Sequence, residues 1–435
     1  MSLTNQISTF IQKIIRLIKR SMVYNVIITH EKVSSSQALE WCQHFLGGVW
    51  STLTVEEMQM NRISGGLSNY LYCCSLPDHI QTQHNEPRKV LLRIYGESHG
   101  QHRSTLLNDS VVCTLLSERK LGPHVHGIFP EGRLEEFIEA ESLLTSETRD
   151  ENISKKIGGL LGEIHQIHMP LVKEPIWLFK TMERYLSDTK YVMDKLKKDD
   201  DRQIFQELRS VCNFTQEFEN LKELLSTIDS PVCFTHNDLQ SGNILRLNSQ
   251  YESFTIIDFE YCSYNYRGFD IGNHFCEFMF DYKSAKEWPF FKVDFTYYPN
   301  ENQQMNFLAS YIDALISSND KYIYSIHEMT NDLHCNEINF DRNALIRKIM
   351  KEANYFALAA HFFWTLWSIH MAVSTTIKFG YLEYARTRLT AYYLQRNMLT
   401  DVNDNELTQI PPQFTEDLLR SPKNPFYKSY IKKTC

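Results

Sequence analysis

The chain has 435 residues, enough to bury a large hydrophobic core, so a small scaffold held together by disulfides or a structural metal is excluded. Its 45 Lys and Arg against 53 Asp and Glu give a formal net charge of -8 at pH 7, which argues against a nucleic-acid-binding protein because such proteins usually present a basic surface. Charged residues at 23% and hydrophobic residues at 43% exclude a disordered chain, and an aromatic share of 13% is high.

The first predicted element is a basic amphipathic helix within residues 1–35. The apolar side chains that fall near one face of this helix are Ile7, Phe10, Ile11, Ile14, Ile15 and Ile18. Such a helix can make peripheral contact with an anionic membrane, and a helix docked on its own protein or simply frayed is the preferred alternative. The segment lacks the uninterrupted apolar run and the cleavage site of a secretory signal.

Residues 36–140 predict a small α+β lobe, because the β-rich runs YLYCCSL and KVLLRIY surround one helix-like run, LLNDSVVCTLLSER. Residues 141–400 are mainly helical by periodicity, and their exceptions are two short stretches, PVCFTH and SFTIIDFEY. Residues 401–435 are assigned to a tail. The sequence therefore predicts a strand-rich lobe followed by a larger helical one.

Membrane insertion and metal-binding thiols are both disfavoured. Residues 353–377 carry no Asp, Glu, Lys or Arg, and the run is long enough to span a bilayer. Its polar residues Asn354, His361 and His370 would be costly to place in lipid. A buried helix is therefore predicted, and no transmembrane segment. The ten cysteines include no Cys-x-x-Cys pair. Reduced thiols in a cytoplasmic protein are the expectation.

Two polar strings carry the strongest functional signal. The first, His236 to Asn243 (HNDLQSGN), has the His-x-Asp-x-x-x-x-Asn spacing of a kinase catalytic loop. The second, Asp258-Phe259-Glu260, begins fifteen residues after Asn243 and occupies the place of the Asp-Phe-Gly metal motif. Each string follows a short apolar run. Together they predict phosphoryl transfer, with the catalytic residues Asp238, Asn243 and Asp258.

The chemistry explains these residue types. Transfer of a γ-phosphoryl group needs a group that accepts or orients the acceptor's hydroxyl proton, and this role is assigned to Asp238. It also needs oxygen ligands for Mg²⁺, which Asn243 and Asp258 supply, and Gln240 can add a contact to metal or phosphate. A structural hydrogen-bonding role is predicted for His236.

The stretch from Asp258 to Tyr282, DFEYCSYNYRGFDIGNHFCEFMFDY, resembles the signature of the eukaryotic choline and ethanolamine kinases, and weaker similarity runs from about residue 40 to about 400. The resemblance implies a protein-kinase-like two-lobed α+β fold with an antiparallel sheet in the small lobe. It implies ATP- and Mg²⁺-dependent phosphorylation of choline to phosphocholine, the first step of phosphatidylcholine synthesis by the CDP-choline route. Ethanolamine kinase or dual activity is the first alternative, and a catalytically silent kinase-like binding module is the second. A homodimer is left open.

By the same resemblance, ATP contacts come from a glycine turn, a strand arginine, the connection between the lobes and the catalytic strings: Gly65, Gly66, Leu67, Ser68, Asn69, Arg93, Glu136, Phe137, Ile138, Gln240 and Asp258. The family usually pairs this arginine with a Glu, and Asp109 stands there, so an ion pair with Arg93 has a shorter reach. The connection reads Ile-Glu-Ala-Glu from Ile138 to Glu141, where family members usually have Ile-Pro-Ser-Arg.

A quaternary ammonium offers no N–H donor, so its pocket relies on aromatic faces and a carboxylate, and each cation–π contact contributes about 0.5 to 2 kcal/mol. The resemblance assigns these substrate-binding roles, beside Asp238, to Tyr261, Glu277, Tyr282, Trp364, Trp367 and Tyr384. Phe278 replaces a usual Trp. Two further side chains are predicted to be architectural: Asp270 accepts backbone N–H groups from the catalytic loop, and Arg267 pairs with a nearby carboxylate.

Overall fold

The computed structural model describes residues 33–63, 69–82, 86–96, 103–248, 252–317 and 341–399, with backbone alone for 103–107. Within these ranges the chain divides into two compact units after Ala140. Two predicted segments, the amphipathic helix within 1–35 and the tail 401–435, lie almost wholly outside the described ranges and stay predictions.

The first unit is built on an antiparallel sheet of five strands in the order β1-β2-β3-β5-β4. The strands are β1 (Gln59–Ile63), β2 (Asn69–Ser75), β3 (Lys89–Tyr95), β4 (Val125–Phe129) and β5 (Gly132–Glu136), and the helices are α1 (Ser35–Leu46) and α2 (Arg103–Glu118). The runs YLYCCSL and KVLLRIY form β2 and β3, as predicted.

The core of this unit lies between α1 and the sheet. Helix α1 begins where the Ser34 hydroxyl accepts a hydrogen bond from Gln37 N, and its spacing then places Ala38 and Cys42 on one buried face. This face joins a cluster that includes the fully buried Leu92 and Leu134 of the central strands. Burial of both faces of β2 and β3 explains their nearly continuous apolar sequence.

The second unit is mainly helical. Its helices are α3 (Thr145–Thr148), α4 (Glu151–His165), α5 (Ile176–Lys195), α6 (Asp199–Val211), α7 (Phe214–Ser226), α8 (Arg267–Glu277), α9 (Glu301–Ser317), α10 (Arg342–Ser374) and α11 (Tyr381–Leu399). Strand β6 (Ala140–Ser142) begins at the last residue of the first unit. The other short strands are β7 (Val232–Thr235), β8 (Ile244–Leu247), β9 (Ser253–Ile256), β10 (Ser263–Tyr266), β11 (Phe280–Asp281) and β12 (Lys292–Val293). They form a three-stranded sheet β6-β8-β9 and two pairs, β10-β7 and β11-β12.

Helix α10 is the core helix of this unit and packs against α5, α8 and α11. It is the one helix in the described part of the chain that is long and apolar enough to cross a membrane, and 83% of its apolar window is buried inside the protein. Its crossing with α8 is close, because a Cβ added at Gly272 would lie 2.4 Å from the Ala353 carbonyl oxygen. Glycine at this position lets α8 approach α10, and α8 supports the candidate site.

Candidate active site

The two predicted catalytic strings lie in turns that follow short strands. Residues His236 to Asn243 connect β7 to β8, and Asp258 follows β9. Asn237 and Asp258 both have φ of 67°, the left-handed region that costs most residues energy and that Asn and Asp tolerate better than others. These turns end their strands abruptly and leave polar side chains at the strand ends.

Asp270, in the first turn of α8, holds the catalytic loop. Its two carboxylate oxygens accept hydrogen bonds from His236 N and Asn237 N, each 2.7 Å long, and His165 Nε2 lies 2.9 Å from Oδ2. Burial alone would raise the pKa of Asp270, but these hydrogen bonds and neighbouring histidines lower it. The predicted contact between Asp270 and the loop backbone is therefore present. Arg267 pairs with the buried Glu352, which is also as predicted.

His236 connects the two catalytic turns. One ring nitrogen, Nε2, lies 3.0 Å from the Ile257 carbonyl oxygen, and Asp238 N lies 3.2 Å from Nδ1. A carbonyl only accepts hydrogen bonds, so Nε2 carries the proton and Nδ1 accepts. Burial lowers the pKa of His236 and keeps the ring neutral. The histidine thus fixes the backbone of Asp238 relative to the residue before Asp258, which is a structural role.

Asn243 orients Asp238. Its amide nitrogen donates to the Asp238 backbone oxygen at 2.8 Å and to carboxylate Oδ2 at 3.0 Å, which leaves the amide oxygen of Asn243 facing elsewhere. Burial, followed by the negative charges of Glu277, Asp258 and Glu260, raises the pKa of Asp238 well above its usual value. Four carboxyl groups thus influence one another here, an arrangement that bound cations would stabilise.

Gln240 has a local role that its sequence position does not reveal. Its Oε1 accepts a hydrogen bond of 2.8 Å from Gly242 N and caps the single 3₁₀ turn Ser241–Asn243. An amide oxygen has two lone pairs, so this bond leaves one for a metal or another donor. The predicted ligands Asn243, Asp258 and Gln240 therefore offer an all-oxygen donor set, the kind that Mg²⁺ prefers.

Three predicted aromatic residues form one contact group, called here the indole group: Tyr261, Trp364 and Trp367. The ring centroids of Tyr261 and Trp364 are 5.6 Å apart, and those of the two tryptophans are 5.2 Å apart. Trp367 Nε1 donates to the Tyr261 hydroxyl at 3.1 Å, and Trp364 Nε1 donates to Asn273 Oδ1 at 2.7 Å. Both indole N–H groups are thus satisfied inside the protein.

The other three form a second group, called here the phenol–carboxylate group: Glu277, Tyr282 and Tyr384. The Tyr282 hydroxyl lies 2.9 Å from Glu277 Oε2 and 2.7 Å from the Tyr384 hydroxyl. Aromatic contacts through Tyr381 and Phe379 link this group to Trp367, with centroid separations of 5.1 to 5.9 Å. The negative charges of Glu277 and Asp238 also interact.

Arg388 was not anticipated from the sequence. It is fully buried and pairs through Nη2 with Glu277, while its Nε donates to the Tyr384 hydroxyl at 2.8 Å. Its guanidinium lies 3.9 Å from the centroid of the Phe280 ring. Glu277 therefore already has a positive partner within the protein. The only sequence signal is its spacing of four residues from Tyr384. This spacing does not distinguish Arg388 from an ordinary surface arginine on α11.

In the first unit, Arg93 belongs to a buried ion-pair network that differs from the expected one. Arg93 Nε lies 3.7 Å from Glu135, and Arg133 pairs with both Glu135 and Asp109. Antiparallel pairing of β3 and β5 sets the two arginines directly opposite each other. Asp109, expected to reach Arg93, is thus bonded to Arg133, a residue that sequence reasoning missed because its role depends on strand register.

The remaining residues predicted to bind the nucleotide are only partly described. Residues 64–68, which include Gly65, Gly66, Leu67 and Ser68, lie outside the described ranges. Asn69 is buried, and its Oδ1 lies 3.4 Å from Gly96 N. In the connecting segment Phe137 and Ile138 are half-buried, and the Glu136 carboxylate accepts from His124 N at 3.0 Å. Glu139, one of the acids unusual for the family, pairs at the surface with Lys89 at 2.6 Å.

Asp238 and Asn243 lie in a strand-ending turn held by the buried Asp270, and Asp258 lies in a second such turn; this arrangement defines a phosphotransferase of the protein-kinase-like class. The sequence profile of the choline/ethanolamine kinase family matches residues 60–393. A human protein named choline/ethanolamine kinase is 42% identical over 371 residues, covering 85% of this chain and 88% of that protein. Mouse choline kinase alpha is 42% identical over 387 residues, covering 83% of this chain and 81% of its own.

A solved structure of choline kinase from Cryptosporidium parvum is also similar, with a TM-score of 0.61 and 26% identity over 84% of this chain and 96% of that one. The chain belongs to the choline/ethanolamine kinase family. The resemblance stated from the Asp258–Tyr282 stretch and the fold class predicted with it are both confirmed.

Proposed function

We propose that this protein transfers the γ-phosphoryl group of ATP to the hydroxyl group of choline and releases phosphocholine, the first intermediate of phosphatidylcholine synthesis by the CDP-choline route. The observation that carries the proposal is the position of Asp238. Its carboxyl group bonds to Asn243 and interacts with the charge of Asp258 on the metal side, and it interacts with Glu277 and Tyr261 on the substrate side. Family membership supports the same reaction.

In this mechanism Asp238 orients the choline hydroxyl and accepts its proton as the new P–O bond forms, while the bond from the γ-phosphorus to the β,γ-bridging oxygen breaks and ADP leaves. Asn243 and Asp258 would hold Mg²⁺, and Gln240 would supply a further oxygen ligand, since all three side chains offer the oxygen donors that this ion prefers. When bound, Mg²⁺ neutralises phosphate charge. His236 and Asp270 keep the loop in position, so that alignment costs little entropy at each turnover.

We propose that ATP is bound by Arg93, by the glycine turn and by the segment that connects the two lobes. Arg93 is suited to phosphate oxygens because a guanidinium can form two parallel hydrogen bonds. The glycine turn and the connecting segment 136–138 complete the proposed ATP contacts, within a nucleotide-binding lobe of residues 36–140 and a catalytic lobe of residues 141–400.

Choline recognition rests on the indole group, because a trimethylammonium is attracted to aromatic faces and cannot donate a hydrogen bond. The pairing of Glu277 with Arg388 reduces the negative charge that this carboxylate offers a ligand. The alternative substrate is ethanolamine. It is favoured by the phenol and carboxylate oxygens of Tyr282, Tyr384 and Glu277, which can accept hydrogen bonds from a primary ammonium.

A side-by-side turnover assay with choline and ethanolamine, ATP and Mg²⁺ tests the proposal. We expect a higher kcat/KM for choline, and Asp238→Asn should reduce kcat by about 100-fold or more because the base is lost. Asp199→Asn is the matched control, since its side chain is 95% exposed on α6 and should leave kcat unchanged.

Three outcomes would contradict parts of this proposal. Unchanged kcat in Asp238→Asn would exclude the base assignment. A higher kcat/KM for ethanolamine would reassign the substrate. Nucleotide binding without turnover on either substrate would favour the silent binding module instead.

We further infer a cytoplasmic location, which the free thiols of the described cysteines support. A homodimer and membrane contact by residues 1–35 remain predictions.

A further inference from the structure

The second unit contains a cavity of about 620 Å³ among the beginnings of α4, α9 and α10. This volume lies within the range of small-molecule sites. The residues that line it are Arg149, Glu151, Ser154, Phe278, Asn302, Gln303, Met305, Asn306, Ala309, Arg342, Asn343 and Ile346. None of the proposed catalytic, nucleotide or substrate residues is among them, so the cavity is separate from the site proposed above.

Three buried polar atoms of the lining have no hydrogen-bond partner within the described ranges: Arg149 Nε, Ser154 Oγ and Arg342 Nε. Ser154 is only 3% exposed. Most buried polar atoms in folded proteins are hydrogen-bonded, and each exception calls for an explanation. Arg149 and Ser154 therefore have hydrogen-bonding capacity that the described part of the protein does not use.

The charge of the lining indicates an anionic group on that ligand. Arg149 has no carboxylate partner in the described part of the chain, and its guanidinium is held 3.6 Å from the centroid of the Tyr297 ring. Arg342 pairs with Asp313 at 2.7 Å. Glu151, the acid of the lining, pairs with Lys155 at 3.0 Å and is 73% exposed. Arg149 therefore carries the unmatched charge.

The other residues that line the cavity indicate which groups the ligand carries besides the anionic one. Asp150, Asn300 and Asp341 already cap the first N–H groups of the three helices, so recognition falls to side chains. The amide side chains there are Asn302, Gln303, Asn306 and Asn343, and they suit hydroxyl groups. Phe278, Met305 and Ile346 supply a limited apolar surface.

We propose that this cavity binds a soluble phosphomonoester that carries hydroxyl groups, with its phosphate on Arg149 and Ser154 and its hydroxyls on the amide side chains. Arginine is well suited to this role because its planar donors match phosphate oxygens in pairs.

Calorimetric titration of the full-length protein with glycerol 3-phosphate tests the proposal. We expect one saturable site whose binding persists when a non-hydrolysable ATP analogue and Mg²⁺ are saturating. Arg149→Met should weaken binding about tenfold or more, and Ser154→Ala should weaken it by about threefold, since the first removes a charged donor and the second a neutral one. Arg202→Met is the matched control, because Arg202 lies outside the lining and should leave the affinity unchanged.

Thermal unfolding without ligand checks that each variant folds, and Ser154→Ala supplies the test if Arg149→Met does not. The proposal is overturned if no saturable binding occurs, if the ATP analogue competes, or if both cavity variants bind like wild type. Equal binding of glycerol would exclude recognition of the phosphate. Binding only to phosphatidate vesicles, with none to glycerol 3-phosphate, would exclude a soluble ligand.

Discussion

At the scale of single residues, the second unit depends on buried charges that have defined partners. Glu277 is 6% exposed and is bonded by Arg388 and Tyr282. His361 Nδ1 lies 3.4 Å from a second guanidinium nitrogen of Arg388, and burial together with this positive charge keeps the pKa of His361 well below its usual value. Removing one partner from such a network leaves an uncompensated charge in a poorly solvated place.

Arg388→Met should therefore lower the free energy of unfolding by about 3 to 5 kcal/mol, because Glu277 would stay buried without its cation. The double variant Arg388→Met, Glu277→Gln should be more stable than Arg388→Met alone, since Glu277 is then replaced by a neutral side chain. Urea unfolding of the single and double variants measures both effects. A loss below about 1 kcal/mol in Arg388→Met would show that the pair is not a structural one.

At the scale of secondary-structure elements, the catalytic turns and the pairing of Arg267 with a carboxylate were predictable, and the ion pairs of Arg388 and Arg133 were not. An apolar run followed by a polar string is a local signal, and it located both Asp238 and Asp258 at strand ends. Arg388 and Glu277 are 111 residues apart, and Arg133 acquires its role only through the register of β5 against β3. Pairings of this kind depend on the folded chain and leave no local pattern.

Helix α10 carries two side chains of the indole group and others that pack in the core. Substitutions on this one helix can therefore distinguish substrate binding from packing. Trp364→Leu should raise the KM for choline by about 2- to 30-fold with little change in the KM for ATP, as expected for the loss of one cation–π contact. Phe362→Leu is the control on the same helix, because Phe362 packs against Tyr392 and not within the indole group. Parallel increases in both KM values for Trp364→Leu would instead indicate damage to the fold.

The crossing of α8 and α10 makes a second prediction at this scale. Gly272→Ala should destabilise the protein by about 1 to 3 kcal/mol, because its Cβ would overlap backbone atoms of α10. Gly159→Ala on α4 is the matched control: its Cβ would have no atom within 4 Å, so helix propensity should stabilise by about 0.5 to 1 kcal/mol. Thermal unfolding of the two variants should show opposite shifts, and equal shifts would contradict the close crossing.

At the scale of the whole molecule, buried neutral histidines link folding to pH. His236, His274 and His361 each have a pKa lowered by burial, and that of His274 is lowered to about 4. His274 donates through Nδ1 to the Leu239 carbonyl at 2.8 Å, and its ring contacts those of Phe278 and Phe307. This hydrogen bond and the negative charge of Asp270 offset the lowering of its pKa only in part. A neutral ring is thus required where the catalytic loop meets α8.

Stability should therefore fall on acidification from about pH 6.5 to about pH 4. In this window His274 binds a proton in the unfolded chain and not in the folded one, so the free energy of unfolding decreases as the pH decreases, by about 3 kcal/mol for this residue. The lowered pKa values of His236 and His361 act in the same direction. His274→Gln removes one of these protons and should give a shallower pH dependence. Urea midpoints followed by tryptophan fluorescence measure this, since four of the six tryptophans lie in the second unit. An unchanged slope in His274→Gln would mean that His274 is already protonated in the folded protein.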